Sequence, residues 1–206
     1  MHIKRFAVGE LSTNCYLLTA SGGDAALVDP GGVSETLLAE LSRVNLKMIL
    51  LTHGHYDHIA GVEKLRELYP DLSVCIHEED EVMLRAPECN FSREISGRPY
   101  VTSADRLLRD GDKIFLGELT LTTAHTPGHS LGSVCYCVGE IIFSGDTVFH
   151  ESAGRTDLYG GSEQSLFDSV RKIRDLEGDR ILLPGHGKDT TLAHERQANY
   201  FMRRLR

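Results

Sequence analysis

Short apolar runs alternate with polar, glycine-rich punctuation along this chain, and their lengths predict the elements. Residues 3–8, 14–19 and 25–28 have strand length and composition, and the third run closes on the turn Asp29-Pro30-Gly31-Gly32. Leu37, Leu38, Leu41 and Val44 recur at helical spacing, so 34–44 predicts a helix. A strand ending at Leu51, an amphipathic helix over 59–69, a strand over 73–76 after the Pro70-Asp71 break and a short helix over 78–84 follow. Residues 86–105 are polar and broken by Pro and Gly, which predicts a long loop suited to cover a site or meet a partner. Strands return at 114–115 and 119–124, and a hairpin over 133–144 turns at Gly139-Glu140. Residues 165–176 are amphipathic, 180–183 form the last strand, and 192–205 form the closing helix. Leu27-Val28-Asp29-Pro30-Gly31 and Ile142-Phe143-Ser144-Gly145-Asp146 both run from strand into Asp and Gly, so the halves loosely repeat. The pattern predicts a two-layer sheet core with helices outside, in a single domain over 1–206.

The densest chemistry follows the strand that ends at Leu51. Thr52-His53-Gly54-His55-Tyr56-Asp57-His58 places four metal-capable side chains close together, and neutral imidazole and carboxylate are ligands that borderline ions such as Zn²⁺ prefer. In an extended segment His53 and His55 point the same way. Asp57 and His58 stand where the chain turns into the next helix, with Asp57 placed as its cap. Three further turns each present a ligand-type residue after an apolar run: His129 in Thr126-Pro127-Gly128-His129-Ser130, Asp146 in Phe143-Ser144-Gly145-Asp146-Thr147, and His186 in Leu183-Pro184-Gly185-His186-Gly187. One four-coordinate ion cannot use seven such groups. Two ions about 3.5–4 Å apart can, with Asp146 bridging and a hydroxide between them.

This order of motifs resembles the metallo-β-lactamase superfamily over nearly the whole chain. The resemblance implies a four-layer αββα sandwich of the α/β (α+β) class, with one site formed by His53, His55 and His129, a second by Asp57, His58 and His186, and Asp146 shared. Class B β-lactamases commonly carry Cys where this chain has Asp146, which argues against antibiotic hydrolysis. Gly145-Asp146-Thr147-Val148-Phe149 followed by Gly154-Arg155-Thr156-Asp157 resembles glyoxalase II and its short bacterial relatives. That likeness implies hydrolysis of thioesters such as S-lactoylglutathione by a metal-bridging hydroxide, with Asp57 and Asp146 as the catalytic carboxylates. It also places Arg155 where glyoxalase II carries a Lys that binds glutathione. The chain departs from the family two positions later, where Asp157 stands for an expected aromatic residue and Tyr159 is nearby. Arg155 and Tyr159 are therefore candidate substrate contacts, and a salt bridge between Arg155 and Asp157 is the competing reading. Persulfide dioxygenases resemble the same Gly-Arg-Thr-Asp segment; in that alternative one iron is held by His55 or His53 with His129 and Asp146.

Composition narrows the partners. Asp and Glu number 30 against 22 Lys and Arg, and the net charge of −8 leaves no basic footprint for nucleic acid. Cys15, Cys75, Cys89, Cys135 and Cys137 make no paired framework, which points to a reducing compartment, and Cys135 and Cys137 share one strand face as small core residues. The first residues carry no signal-like apolar region and the chain no membrane span, so a cytoplasmic enzyme acting on a small-molecule thioester is expected. Two divalent ions per chain are expected, zinc first and iron or manganese as alternatives. Asp29 is expected to brace the 53–58 loop by accepting a hydrogen bond. His125 reads as a packing or hydrogen-bonding residue, and His2, His77, His150 and His194 as surface or capping residues.

Overall fold

A computed structural model describes residues 1–204. Its first sheet runs β1 (His2–Val8), β2 (Thr13–Thr19), β3 (Asp24–Val28), β4 (Asn45–Leu50), β5 (Ser73–His77) and β6 (Arg106–Leu108) in that spatial order. Its second sheet contains β7 (Lys113–Leu116), β8 (Leu119–His125), β9 (Val134–Val138), β10 (Ile141–Gly145), β13 (Ile181–Pro184) and β14 (Thr190–Thr191), side by side from β7 to β14. A small hairpin of β11 (Val148–Phe149) and β12 (Ser152–Ala153) stands apart. Both large sheets are mixed: β1 to β3 pair antiparallel and β3 to β6 parallel, while β10 and β13 pair parallel in an otherwise antiparallel second sheet.

Three apolar clusters separate four layers, because successive side chains of a strand face opposite ways. In β2, Tyr16 and Leu18 enter the cluster between the sheets, while Cys15 and Leu17 enter the one beneath α1 (Glu35–Leu41). In β9, Val134, Tyr136 and Val138 face the first sheet, while Cys135 packs fully buried toward α7 (Glu163–Arg174), with Cys137 on the same side. Strands buried on both faces carry continuous apolar runs, as Leu17-Leu18 and Ile142-Phe143 do. The αββα sandwich implied by the resemblance is the observed architecture. No helix among the described residues is long and apolar enough to cross a membrane.

Several expected elements differ. The predicted helix over 59–69 is α3 (Val62–Leu68), preceded by a separate turn of helix, α2 (Tyr56–Ile59), and parted from it at Gly61, whose N–H donates to Pro30 O at 2.7 Å. Docking against the 29–32 turn leaves no room there, since a Cβ on Gly61 would lie 2.6 Å from Pro30 O. Asp57 is inside α2 rather than capping it; His55 is the N-cap, without a side-chain bond. A 3₁₀ turn (Glu78–Asp80) and α4 (Glu81–Arg85) occupy the predicted helix at 78–84.

The predicted loop over 86–105 holds α5 (Pro87–Asn90) and α6 (Ser92–Ser96). Asn90 is buried and donates to Met83 O and Tyr100 O, so this polar strap is held by side-chain bonds to backbone. Apolar spacing cannot reveal such a device. The two-residue β14 follows the predicted last strand, and the predicted closing helix over 192–205 is broken at Asn199 into α8 (Leu192–Ala198) and α9 (Tyr200–Arg204). Its last predicted residue, Leu205, lies outside the described residues.

Candidate metal centre

The ligand-type residues stand on the segments that leave β4, β8, β10 and β13, Asp57 and His58 within α2, so both sheets deliver side chains to one end of the sandwich. All seven predicted groups meet there. His53, His55 and His129 form one set whose nitrogens lie within 4.8 Å of one another, and Asp57, His58 and His186 form another. Asp146 stands between them: its Oδ2 is 3.6 Å from His129 Nε2 and 3.7 Å from His186 Nε2, and its Oδ1 is 3.4 Å from His58 Nε2.

The geometry fits metal ions rather than a hydrogen-bonded cluster. His53 Nε2 and Asp146 Oδ1 are buried with no hydrogen-bond partner, a costly arrangement unless another acceptor of their lone pairs is provided. His55 Nδ1 approaches His129 Nε2 at 2.9 Å, and His58 Nε2 approaches His186 Nε2 at 3.3 Å. The His53, His55 and His129 rings are tilted by 72–84° to one another, so their in-plane lone pairs can converge. Two other histidine groups lack this property. His77 stacks on His125 with planes 14° apart beside Glu79, and His150 on His194 at 13° beside Glu151. Near-parallel rings confine their lone pairs to separate parallel planes, which do not meet at one ion as the tilted rings of the centre do.

Hydrogen bonds orient the ligands. His129 Nδ1 lies 2.8 Å from the Arg155 carbonyl oxygen, which makes that nitrogen the N–H and leaves Nε2 facing the centre. Thr13 Oγ1 donates to Asp57 Oδ2 at 3.1 Å. Asn14 donates to Pro184 O and Gly187 O, and Tyr16 Oη to Pro184 O, pinning the His186 turn to β2. Asp29 accepts from Thr52 N and Oγ1 at 2.7 and 2.6 Å and lies 3.0 Å from His58 Nδ1. It holds a left-handed backbone, φ 50°, uncommon for a non-glycine residue. Asp29 thus braces both ends of the 52–58 loop.

Asp80, which sequence reasoning missed, ties two ligand loops together. Fully buried, it accepts from Gly54 N at 3.0 Å on one loop and from Ser130 Oγ and Gly132 N at 2.6 Å each on the other. Its donors are mostly backbone groups, which leave no residue-type signal to read.

Burial, then the neighbouring imidazoles, holds His53 and His55 well below the usual histidine range, so both are neutral donors. Burial opposes charge on Asp57 and His58 too, but there the neighbours win. His58 and the bond from His186 hold the Asp57 carboxyl far below the carboxylate range, and Asp57, Asp146 and Asp29 raise His58.

A cavity of about 700 Å³ opens onto the centre, with His55, Asp57, His129, Asp146 and His186 at its floor. Arg155 is on its wall, but its guanidinium grips Asp157 in a bidentate pair at 2.6 and 2.7 Å, which is the competing reading of that residue. Tyr159 is exposed and is not among the cavity-lining residues, where Leu158 stands instead. His125 lies 2.8 Å from Leu131 O through Nε2, away from the seven.

The chain matches the model of the metallo-β-lactamase superfamily over residues 8–186. It is 31% identical to hydroxyacylglutathione hydrolase GloC of Haemophilus influenzae, with 98% of each chain covered. The crystal structure of BLEG-1 B3 metallo-β-lactamase superposes with a TM-score of 0.91 at 38% identity, covering 98% of this chain and 99% of that one. The crystal structure of TTHA1623 in a di-iron-bound form superposes with a TM-score of 0.85 at 34% identity, covering 96% and 99%. Together with the seven converging groups, these likenesses support a metal-dependent hydrolase.

Proposed function

The chain belongs to the metallo-β-lactamase superfamily, and from that premise we propose that it hydrolyses thioesters at a pair of divalent ions. One observation carries the reading: two sets of ligand groups, buried but for the half-buried His186, lie side by side with Asp146 between them, at the floor of an open cavity. Ions bound by these groups would supply an ionised water as nucleophile and polarise the scissile carbonyl. Asp57, kept ionised by His58 and His186 and aligned by Thr13, can accept a hydrogen bond from that nucleophile and orient it. A thiolate, whose conjugate acid has a pKa near 8.5, leaves without a strong general acid. That suits the cavity, where the ionisable groups besides the metal-ligating set are Glu94 and Arg155. The name of the Haemophilus influenzae relative supports the same chemistry. The donor set of imidazole and carboxylate takes zinc, iron or manganese, and the di-iron relative gives iron a standing equal to zinc.

Elemental analysis of freshly purified protein, with a panel holding S-lactoylglutathione, neutral thioesters, an oxygen ester and a β-lactam, tests the proposal. About two ions per chain and turnover of thioesters ahead of the other classes are expected, with Asp146→Ala lowering both metal content and rate, the rate by more than about a hundredfold. One iron per chain with oxygen uptake on glutathione persulfide, or a β-lactam as the best substrate, would overturn it.

A further inference from the structure

Two phenylalanines bracket the centre. The Phe91 ring stands edge-on to His55, centroids 5.9 Å apart and planes at 68°, and the Phe149 ring stands edge-on to His186 at 6.1 Å and 83°. His55 and His186 belong to different ligand sets, so an aromatic wall rises on each side of the place where a substrate carbonyl must lie. Phe91 occupies the single residue between α5 and α6 in the left-handed region, φ 61°. That conformation suits glycine or asparagine and is an outlier for a bulky side chain. It is imposed by its surroundings: Asn90 is pinned to Met83 O and Tyr100 O, and its Oδ1 accepts the Ser92 N–H. The strained turn aims the phenyl ring over His55.

The rest of the wall has the same character. Leu11, Ile95 and Leu158 line it with the two rings, and its charged side chains outside the ligand set are Glu94 and Arg155, the latter already paired with Asp157. A glutathione moiety brings two carboxylates to a wall whose one guanidinium is engaged and which carries a carboxylate of its own. An apolar chain brings surface that Phe91 and Phe149 can cover.

Resting on the thioester reading above, we propose that the preferred substrates are thioesters of apolar acyl groups, gripped between Phe91 and Phe149, with Phe91 as a specificity-determining residue. Each methylene covered is expected to raise kcat/KM about fourfold.

The test uses metal-loaded full-length protein and acyl thioesters of N-acetylcysteamine, a small neutral thiol, from acetyl through butanoyl to hexanoyl, beside S-lactoylglutathione. A rise of about fourfold per methylene is expected, with hexanoyl outrunning S-lactoylglutathione and the slope at least halved in Phe91→Ala. A readout independent of turnover comes from Phe91→Trp, because the chain has no tryptophan of its own. Hexanamide added to the metal-free variant is expected to shift its fluorescence saturably, and glutathione at equal concentration to leave it unmoved. A flat acyl series with S-lactoylglutathione best, or a fluorescence response to glutathione instead of hexanamide, would overturn the acyl assignment and leave thioester hydrolysis standing. Hydrolysis of no thioester at all would sink the thioester reading, while the fluorescence titration would still decide whether the wall binds apolar chains.

Discussion

Asp80 touches no ligand, yet three donors from two ligand-bearing loops converge on its carboxylate. A buried acceptor with three donors has no tolerance for a donor of its own, and Asp80→Asn turns one oxygen into an amide N–H₂ facing an N–H or O–H. The loss expected is about 2–4 kcal/mol of stability, with metal affinity down about tenfold to a hundredfold as the 53–55 and 129 loops lose their common anchor. Urea denaturation and competition against a chelator measure the two effects. Unchanged metal affinity would mean that each loop holds its own shape. The contrast with His53 to His58 shows what a sequence exposes at this scale. Four ligand-type side chains in one short run stand out because the chemistry resides in the side chains themselves. Asp80 is hidden because two of its three donors are backbone N–H groups, and Thr13 and Asn14 because they act on Asp57 and Pro184 from a distant strand.

Between elements, close approach is the governing fact, and glycine at a ligand turn permits it. At Gly185, a Cβ would lie 2.2 Å from Asp146 Oδ1 and 2.7 Å from His58 Cε1, although the backbone there is not left-handed. Gly185→Ala therefore needs no left-handed backbone, and its two severest contacts fall on ligands, with the Gly145 backbone carbon third at 3.3 Å. Secondary structure by circular dichroism is expected to survive, while metal content falls below one ion per chain by elemental analysis. Full metal occupancy in that variant would show that the β13 turn can shift without loss. Gly31 is less forgiving, since a Cβ there would overlap Asp57 O at 1.6 Å; Gly31→Ala must part the 29–32 turn from α2, and insoluble or unfolded protein is the expected outcome. Element types were legible wherever both strand faces or one helix face are apolar, as in β2, β9 and α7. They failed where polar groups do the ordering. Asn90 orders the strap over 86–105 by bonds to backbone, and Asn199, also fully buried, breaks the closing helix while bonding to Ser152 O and Glu195.

The whole molecule couples its stability to the charge of its buried imidazoles. A two-layer sheet core with helices outside was legible in the apolar runs and the four-layer sandwich was implied by the family resemblance, but the same burial also encloses histidines whose ionisation no apolar pattern reports. Burial first, then a neighbouring imidazole, lowers the pKa of His53, His55 and His77 below the ordinary value near 6.5. An unfolded chain takes up these protons more readily than the folded one, so the stability tied to these three groups is present above about pH 6.5 and is lost as pH falls below it. His58 is shifted the other way by Asp57, Asp146 and Asp29, against the opposing effect of burial. Its contribution is complete below about pH 6.5 and is lost only at higher pH, so it adds little slope on the acid side. The Asp57 carboxyl, depressed by His58 and His186, adds its own loss only as pH falls toward and below the ordinary carboxylate range near 4. Burial raises the Asp80 carboxyl, which acts in the opposite sense as pH falls; between about pH 6.5 and 5 the three lowered histidines act together against it, and the urea midpoint of metal-free protein is expected to fall across that window. His77 lies outside the metal centre, stacked on His125, so His77→Gln is expected to flatten the slope while leaving metal content unchanged. A midpoint that stays level or rises from pH 6.5 to 5 would show that these buried rings accept protons as readily in the fold as in the open chain.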